Sequence, residues 1–283
     1  MDEQTTGANA EQARYWTNDG GPSWVRDQAA FDLMLEPFER ALLDALDPRP
    51  GERVLDVGCG FGSTALGASA RGADVHGVDI APPMIERARA RARATGAGVT
   101  FAVVDAQEDA LGGPYDAVVS RFGVMFFADP SRAFRNLAAA TLPGGRLVFV
   151  CWQPIDRNPW MIAAPAVLRT LMDNPPPSAP PATTAGPLAF GDTSYVDHVL
   201  ANAGWNSRAF APFDSSARLG GNDGVAGAVS HALNTTAAKA LLALGDATLR
   251  DRAAAVLSDQ FSSLAIDGVV RFPAAAWIVT ARR

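Results

Sequence analysis

Val54-Leu55-Asp56-Val57-Gly58-Cys59-Gly60-Phe61-Gly62 joins a short apolar run to three glycines at alternate positions. The apolar part has the length and composition of a buried strand. The glycines let the chain turn tightly and bring backbone N–H groups up to a ligand with no Cβ in the way. Ser63 to Ala70 then reads as a helix, so the stretch is a strand, a loop and a helix in succession. By itself such a turn indicates close packing or a nucleotide-binding unit and nothing narrower.

The same rhythm continues on the C-terminal side. Val75–Val78, Val99–Val104, Ala117–Ser120 and Leu147–Cys151 are further buried-strand runs, with helical stretches at Pro82–Ala94 and Ser131–Ala140 between them. Strands alternating with helices predict a parallel sheet covered on both faces, which binds ligands at the carboxyl ends of its strands. Before the loop, Phe31, Met34, Leu35, Phe38, Leu42 and Leu43 recur at helical spacing over Ala30–Leu46, and Pro48 and Pro50 close that helix. After Trp152, Pro175, Pro176, Pro177, Pro180, Pro181 and Pro187 exclude helix interior and central strand, so residues 153–191 read as a lid insertion. A helix at Thr193–Ala203, a strand at Arg208–Phe213, helices starting near Asp223 and at Ala247–Leu264, and a final strand at Ala274–Thr280 complete the pattern. The fold class expected is α/β: a Rossmann-like, seven-stranded, mostly parallel sheet with helices on both faces. Residues 1–50 form an N-terminal helical cap, residues 51–152 and 192–283 the core, and 153–191 the lid.

Three acids narrow the ligand. Asp79 ends the second strand 17 residues after Gly62, where a carboxylate can hold both hydroxyls of a ribose. Asp56 stands before the glycines, where its charge would repel a pyrophosphate but attract a cation. With Asp105-Ala106-Gln107 after the third strand and Ser120-Arg121-Phe122-Gly123 after the fourth, Arg53–Cys151 resembles the class I S-adenosylmethionine-dependent methyltransferases. The resemblance leans toward the ubiquinone and menaquinone biosynthesis branch and the tailoring enzymes of small natural products. It implies S-adenosylmethionine as cofactor, held by Asp56, Gly58, Cys59, Gly60 and Gly62. Asp79 would take the ribose, Ile80 would lie against the adenine, Asp105 and Ala106 would read its amino edge, and Ser120 would flank the methionine part. Two other readings stand beside it: a nicotinamide-dependent oxidoreductase, which would want G-x-G-x-x-G where this loop is G-x-G-x-G, and a silent scaffold that keeps only the cofactor fold.

Composition bears on the substrate. A net charge of −6 disfavours a surface that tracks nucleic acid phosphates. The one dense basic run, Arg87, Arg89, Arg91 and Arg93, spreads around a helix and reads as solvated. The segment after the fourth strand lacks the Asn/Asp-Pro-Pro-aromatic signature of enzymes that methylate exocyclic amino groups of nucleic acids, and no Pro-Cys pair offers a cytosine-C5 nucleophile. A small molecule is the expected substrate, with an apolar pocket lined by Tyr15, Trp16, Phe122, Trp152 and Trp160, and with Trp24 and Gln28 reaching the cofactor edge. Cys59 and Cys151 show neither disulfide nor metal-ligand spacing, so no metal is expected. No run approaches the about 20 apolar residues that span a bilayer, and the start of the chain, Met1–Gln12, is polar; a cytoplasmic protein without membrane partners is expected. Nothing in the sequence requires or forbids a homodimer. Of three histidines, His76 reads as structural, His198 as a surface residue, and His231 as the candidate general base.

Overall fold

The structure is a computed structural model that describes residues 9–177 and 185–283. The first eight residues of the polar N-terminal stretch, and Pro180 and Pro181 of the expected lid, lie outside the described residues. The chain enters through α1 (Ala10–Arg14), a π-helical turn (Tyr15–Asp19), α2 (Gly20–Arg26) and α3 (Gln28–Leu46). Alternation then follows: β1 (Arg53–Val57), α4 (Ser63–Ala70), β2 (Asp74–Asp79), α5 (Pro82–Thr95), β3 (Thr100–Val103), β4 (Tyr115–Arg121), α6 (Pro130–Ala139) and β5 (Thr141–Trp152). The rest is α7 (Ala163–Leu171), α8 (Thr193–Asn202), β6 (Asn206–Leu219), α9 (Gly224–Leu233), α10 (Thr236–Leu242), α11 (Leu249–Leu264), β7 (Ala265–Ile266) and β8 (Val269–Arg282).

The sheet runs β3-β2-β1-β4-β5-β8-β6, with two-residue β7 paired only to β8. Strands β1 to β5 run parallel to one another, and β8 is antiparallel to both β5 and β6. The seven expected strands are all present; β7 is an addition too short to carry a periodicity. The order reverses between β1 and β4, and the loops leaving these two strands open the crevice in which such sheets bind ligands.

Both faces of the sheet are covered. On β5, Trp152 meets Phe38 of α3, while Phe149, three residues away and so on the opposite face, meets Phe134 of α6. Phe38, Leu42 and Leu46 of α3 are fully buried, which is why this helix persists through Pro37. It ends where Asp47 takes a left-handed turn and Arg146 donates to the Leu46 and Asp47 carbonyls. Trp205 is fully buried and donates its ring N–H to the Phe134 carbonyl at 3.0 Å.

The described residues of the expected lid, 153–177 and 185–191, are more regular than their prolines suggested. They contain two 3-10 turns and α7, which packs on α10 and α11, and they return through Phe190, fully buried 6.1 Å from the rings of both Phe134 and Phe149. The helix α10 went unforeseen because its seven residues are too few to show a periodicity. The arginine run of α5 also departs from expectation: Arg87 donates to Gln28, Arg89 to the Phe101 carbonyl, and Arg91 to the Phe61 carbonyl and Ser63, with an ion pair to Asp32 at 3.0 Å. Spacing placed these side chains around the helix, but the partners come from α3, the glycine loop, α4 and β3.

Candidate functional site

Gly58, Gly60 and Gly62 all have positive φ, at 63°, 53° and 83°. At Gly58 a Cβ would sit 2.8 Å from the Gly123 Cα, so the loops after β1 and β4 can meet only without side chains. At Gly60 a Cβ would meet nothing within 4 Å, so this residue opens onto free space at the head of the loop. The Cys59 N–H donates to the Val78 carbonyl at 3.0 Å and ties the loop to β2. The Cys59 thiol is buried and its pKa is pushed up by that burial, so the residue serves the loop through its backbone.

The three acids close adjacent strands. Asp79 accepts the Gly60 N–H and the Ala81 N–H, each at 2.9 Å, and burial raises its pKa against these amides. Ile80, half-buried, follows it. Asp105 accepts the Gln107 N–H and the Asn9 side-chain amide at 2.9 Å each, and buried Ala106 lies beside it. Asp56 is different: it is fully buried, and neither carboxylate oxygen has a hydrogen-bond partner among the described residues. Burial pushes its pKa up to about 7, overcoming the Arg121 guanidinium. A buried carboxylate in this condition is costly, and a cationic ligand would relieve it. Ser120 is spent within the fold, its hydroxyl donating to the Val57 carbonyl at 2.7 Å and accepting the Gly123 N–H at 3.2 Å.

The expected pocket aromatics fall into two clusters. Trp24 stacks on Phe31 at 3.8 Å and lies 6.5 Å from Phe61 of the loop, while Trp16 meets Trp24, Phe126 and Tyr15 edge-on. Phe122, itself at φ 61°, stacks on Trp152 at 4.0 Å, and Trp152 meets Trp160 at 5.3 Å. Gln28 has its amide occupied by Asp32 and Arg87. His231, on α9, faces Phe31 edge-on at 5.6 Å, and its Nε2 is buried with no partner among the described residues. Burial lowers its pKa and Asp27 opposes that. The structure therefore brings His231 to the Trp24–Phe31 cluster, one aromatic layer back from the loop. Tyr15 makes a second link to this region through a 2.8 Å hydrogen bond to Thr236. His76 and His198 stay outside, bonded to Thr100 and Asn202. Open cavities of about 480 and 460 Å³ lie elsewhere, at the amino ends of the strands and between α3 and α4. The acids mark the site better than these hollows do, since neither hollow is lined by Asp56, Asp79 or Asp105.

Residues 54–145, which hold the loop and all three acids, match a family model described as a methyltransferase domain. The likeness to a methyltransferase domain lies within these residues. An aklanonic acid methyltransferase of Streptomyces sp. (strain C5) is 37% identical over 118 residues, 40% of this chain and 54% of that protein. A demethylmenaquinone methyltransferase of Thermus thermophilus is 42% identical over 128 residues, 44% and 58% respectively. A nocamycin O-methyltransferase of Saccharothrix syringae is 35% identical over 116 residues, 39% and 41%. The chain thus spans about half the length of the curated relatives it matches. Among solved structures, the YcgJ protein of Bacillus subtilis superposes with a TM-score of 0.58 at 17% identity, over 87% of this chain and 97% of that one. Magnesium protoporphyrin IX methyltransferase of Synechocystis does so with 0.53 at 15%, over the whole of both. These two likenesses concern the fold alone.

Three residues near the site had no role assigned to them from the sequence. Arg121 pairs with Glu39 of α3 at 2.8 Å, and Asn9 reaches Asp105. Arg121 stood in a quoted segment, but its partner is 82 residues away. Asn9 sat in a stretch that composition alone marks as polar. Among the described residues no cluster of three or more His, Cys, Asp or Glu could hold a metal, and no helix is long and apolar enough to cross a membrane.

Proposed function

We propose that the chain is an S-adenosylmethionine-dependent methyltransferase acting on an O, N or C of a small molecule, a secondary metabolite or quinone-like compound, by in-line transfer. The observation that carries this reading is Asp56, buried beside a glycine loop with both oxygens unpartnered among the described residues. An ammonium group fits that carboxylate, and a pyrophosphate does not. The open face of Gly60 and the Asp79 carboxylate behind it suit a ribose.

When bound, the cofactor supplies an electrophilic methyl group on a sulfonium. This chain's residues would do the rest. Asp56 would hold the ammonium, the Gly58–Gly62 backbone would cradle the cofactor, Asp79 would take the ribose hydroxyls, and Asp105 with Ala106 would read the adenine edge. Trp16, Trp24 and Phe126 would exclude water, and Phe122, Trp152 and Trp160 would extend the apolar wall. Alignment alone is worth up to about 7 to 11 kcal/mol, so acid–base help is secondary. Where the substrate must lose a proton, His231 would take it as a neutral imidazole, its Nε2 having no partner among the described residues. The names of the relatives, which include methyltransferases of aklanonic acid, nocamycin and demethylmenaquinone, support the small-molecule class. The net charge of −6 supports a partner other than nucleic acid.

Calorimetry with S-adenosylhomocysteine and with NADH tests the cofactor. Binding of the first alone is expected; binding of NADH alone would make the chain an oxidoreductase. Transfer of labelled methyl to phenolic or quinone-like acceptors separates an enzyme from a scaffold that only binds.

A further inference from the structure

Asn9 precedes α1 at its cap position, and asparagine is among the best residues for capping a helix. Its side chain makes no cap bond. Instead Nδ2 donates to Asp105 Oδ1 at 2.9 Å, and Oδ1 accepts the Ala128 N–H at 2.9 Å. The residue is only 4% exposed. A stabilising local bond has been given up for two contacts with segments 96 and 119 residues away.

The consequence falls on Asp105. Its Oδ1 is filled by two N–H donors, from Asn9 and Gln107, and its own N–H is held by Asp109 at 2.8 Å. Oδ2 has no partner among the described residues. A carboxylate anchored through one oxygen presents the other in a fixed direction, so little orientation remains to be lost when a donor binds there. Asn9 also ties the cap to this end of the site: Ala128 lies two residues after Phe126, whose ring meets Trp16 at 5.1 Å.

We propose that Asn9 is a positioning residue, which sets the free oxygen of Asp105 for the exocyclic amino group of adenine and couples that contact to seating of the N-terminal helices. This rests on the reading of the site as one for S-adenosylmethionine. Asn9 touches neither the ligand nor the reacting atoms; it acts through Asp105.

The test is calorimetry of the full chain with S-adenosylhomocysteine and with S-inosylhomocysteine, in which a carbonyl replaces the amino group. The wild type should prefer the adenosyl compound. Asn9→Ala should weaken that compound about tenfold, as expected for one hydrogen bond to a charged group, while leaving the inosyl compound nearly unchanged. Asn9→Asp, which sets a second carboxylate against Asp105, should lose more. Asn9→Gln, which displaces the amide by one methylene, should behave like Asn9→Ala and serves in its place should that variant not fold. Equal weakening of both ligands, or none, overturns the role of Asn9. A wild type that binds neither ligand overturns instead the cofactor reading beneath it.

Discussion

Arg121 at the end of β4 and Glu39 on α3 form an ion pair at 2.8 Å with side chains only 8% and 22% exposed. Both charges act on Asp56, Arg121 favouring its ionised form and Glu39 its neutral one. The pair therefore fastens the cap helix to the sheet at the site and sets the field around the buried carboxylate.

Removing one partner of a shielded pair leaves the other charge uncompensated. Glu39→Ala should cost about 3 kcal/mol, the lower end for a buried pair because Glu39 keeps some contact with water. Disrupting the exposed Arg40–Glu36 pair with Arg40→Ala should cost under about 1 kcal/mol. Urea unfolding of the two variants measures the difference, and equal costs would refute the role given to Arg121.

Asp56 should make the free protein's stability depend on pH. Burial raises its pKa from 3.8 to about 7, with Arg121 opposing and Glu39 and Asp79 reinforcing. An acid whose folded pKa exceeds its unfolded value binds the extra proton in the native state. Stability therefore falls as pH rises from about 4 to about 7, by an order of 4 kcal/mol, and the loss is complete above that range. Asp56→Asn should flatten this slope, raise the melting temperature near pH 8 and abolish S-adenosylhomocysteine binding. Thermal unfolding across this range, paired with calorimetry, decides the matter.

The loop glycines should separate folding from binding. Gly60→Ala meets no neighbour and carries only the left-handed backbone strain, about 1 to 2 kcal/mol, so the variant should fold while losing cofactor affinity. Gly58→Ala drives a Cβ to 2.8 Å from the Gly123 Cα and should destabilise the fold more severely. Melting temperatures and ligand affinities of the pair provide the comparison.

His231→Gln should lower kcat by about 10²- to 10⁴-fold for a substrate that must be deprotonated, with unchanged S-adenosylhomocysteine affinity. Because burial lowers its pKa, the neutral imidazole persists through neutral pH. The rate should fall only as pH drops below the ordinary value of 6.5, and this acid limb should vanish in the variant. A retained limb would assign the titration to another group.

Much of the site was legible because its signals are local. Helix α4 spans Ser63–Ala70 as its residues imply, and Asp79 ends β2 with its carboxylate on the loop. Asp105 follows β3 by two residues. Other side chains could not be read this way. Ser120 stands at the expected place but faces the Val57 carbonyl, because alternation along β4 decides its face and the neighbouring strand decides its partner. Gln28 is occupied by Asp32 and by Arg87, which comes from a helix 59 residues away.

The sequence by itself determined the strand, the glycine turn and the spacing of the acids, since hydrophobic period and left-handed φ are properties of a few consecutive residues. Tertiary structure decided which of those acids is satisfied. Asp79 is braced by Gly60, Asp105 is held by Asn9, and Asp56 is sealed near Arg121 and Glu39 with no hydrogen-bond partner among the described residues. It also set Trp24 on Phe31 and His231 behind them. Burial and charge depend on segments distant in the chain meeting in space, and no local pattern encodes that meeting.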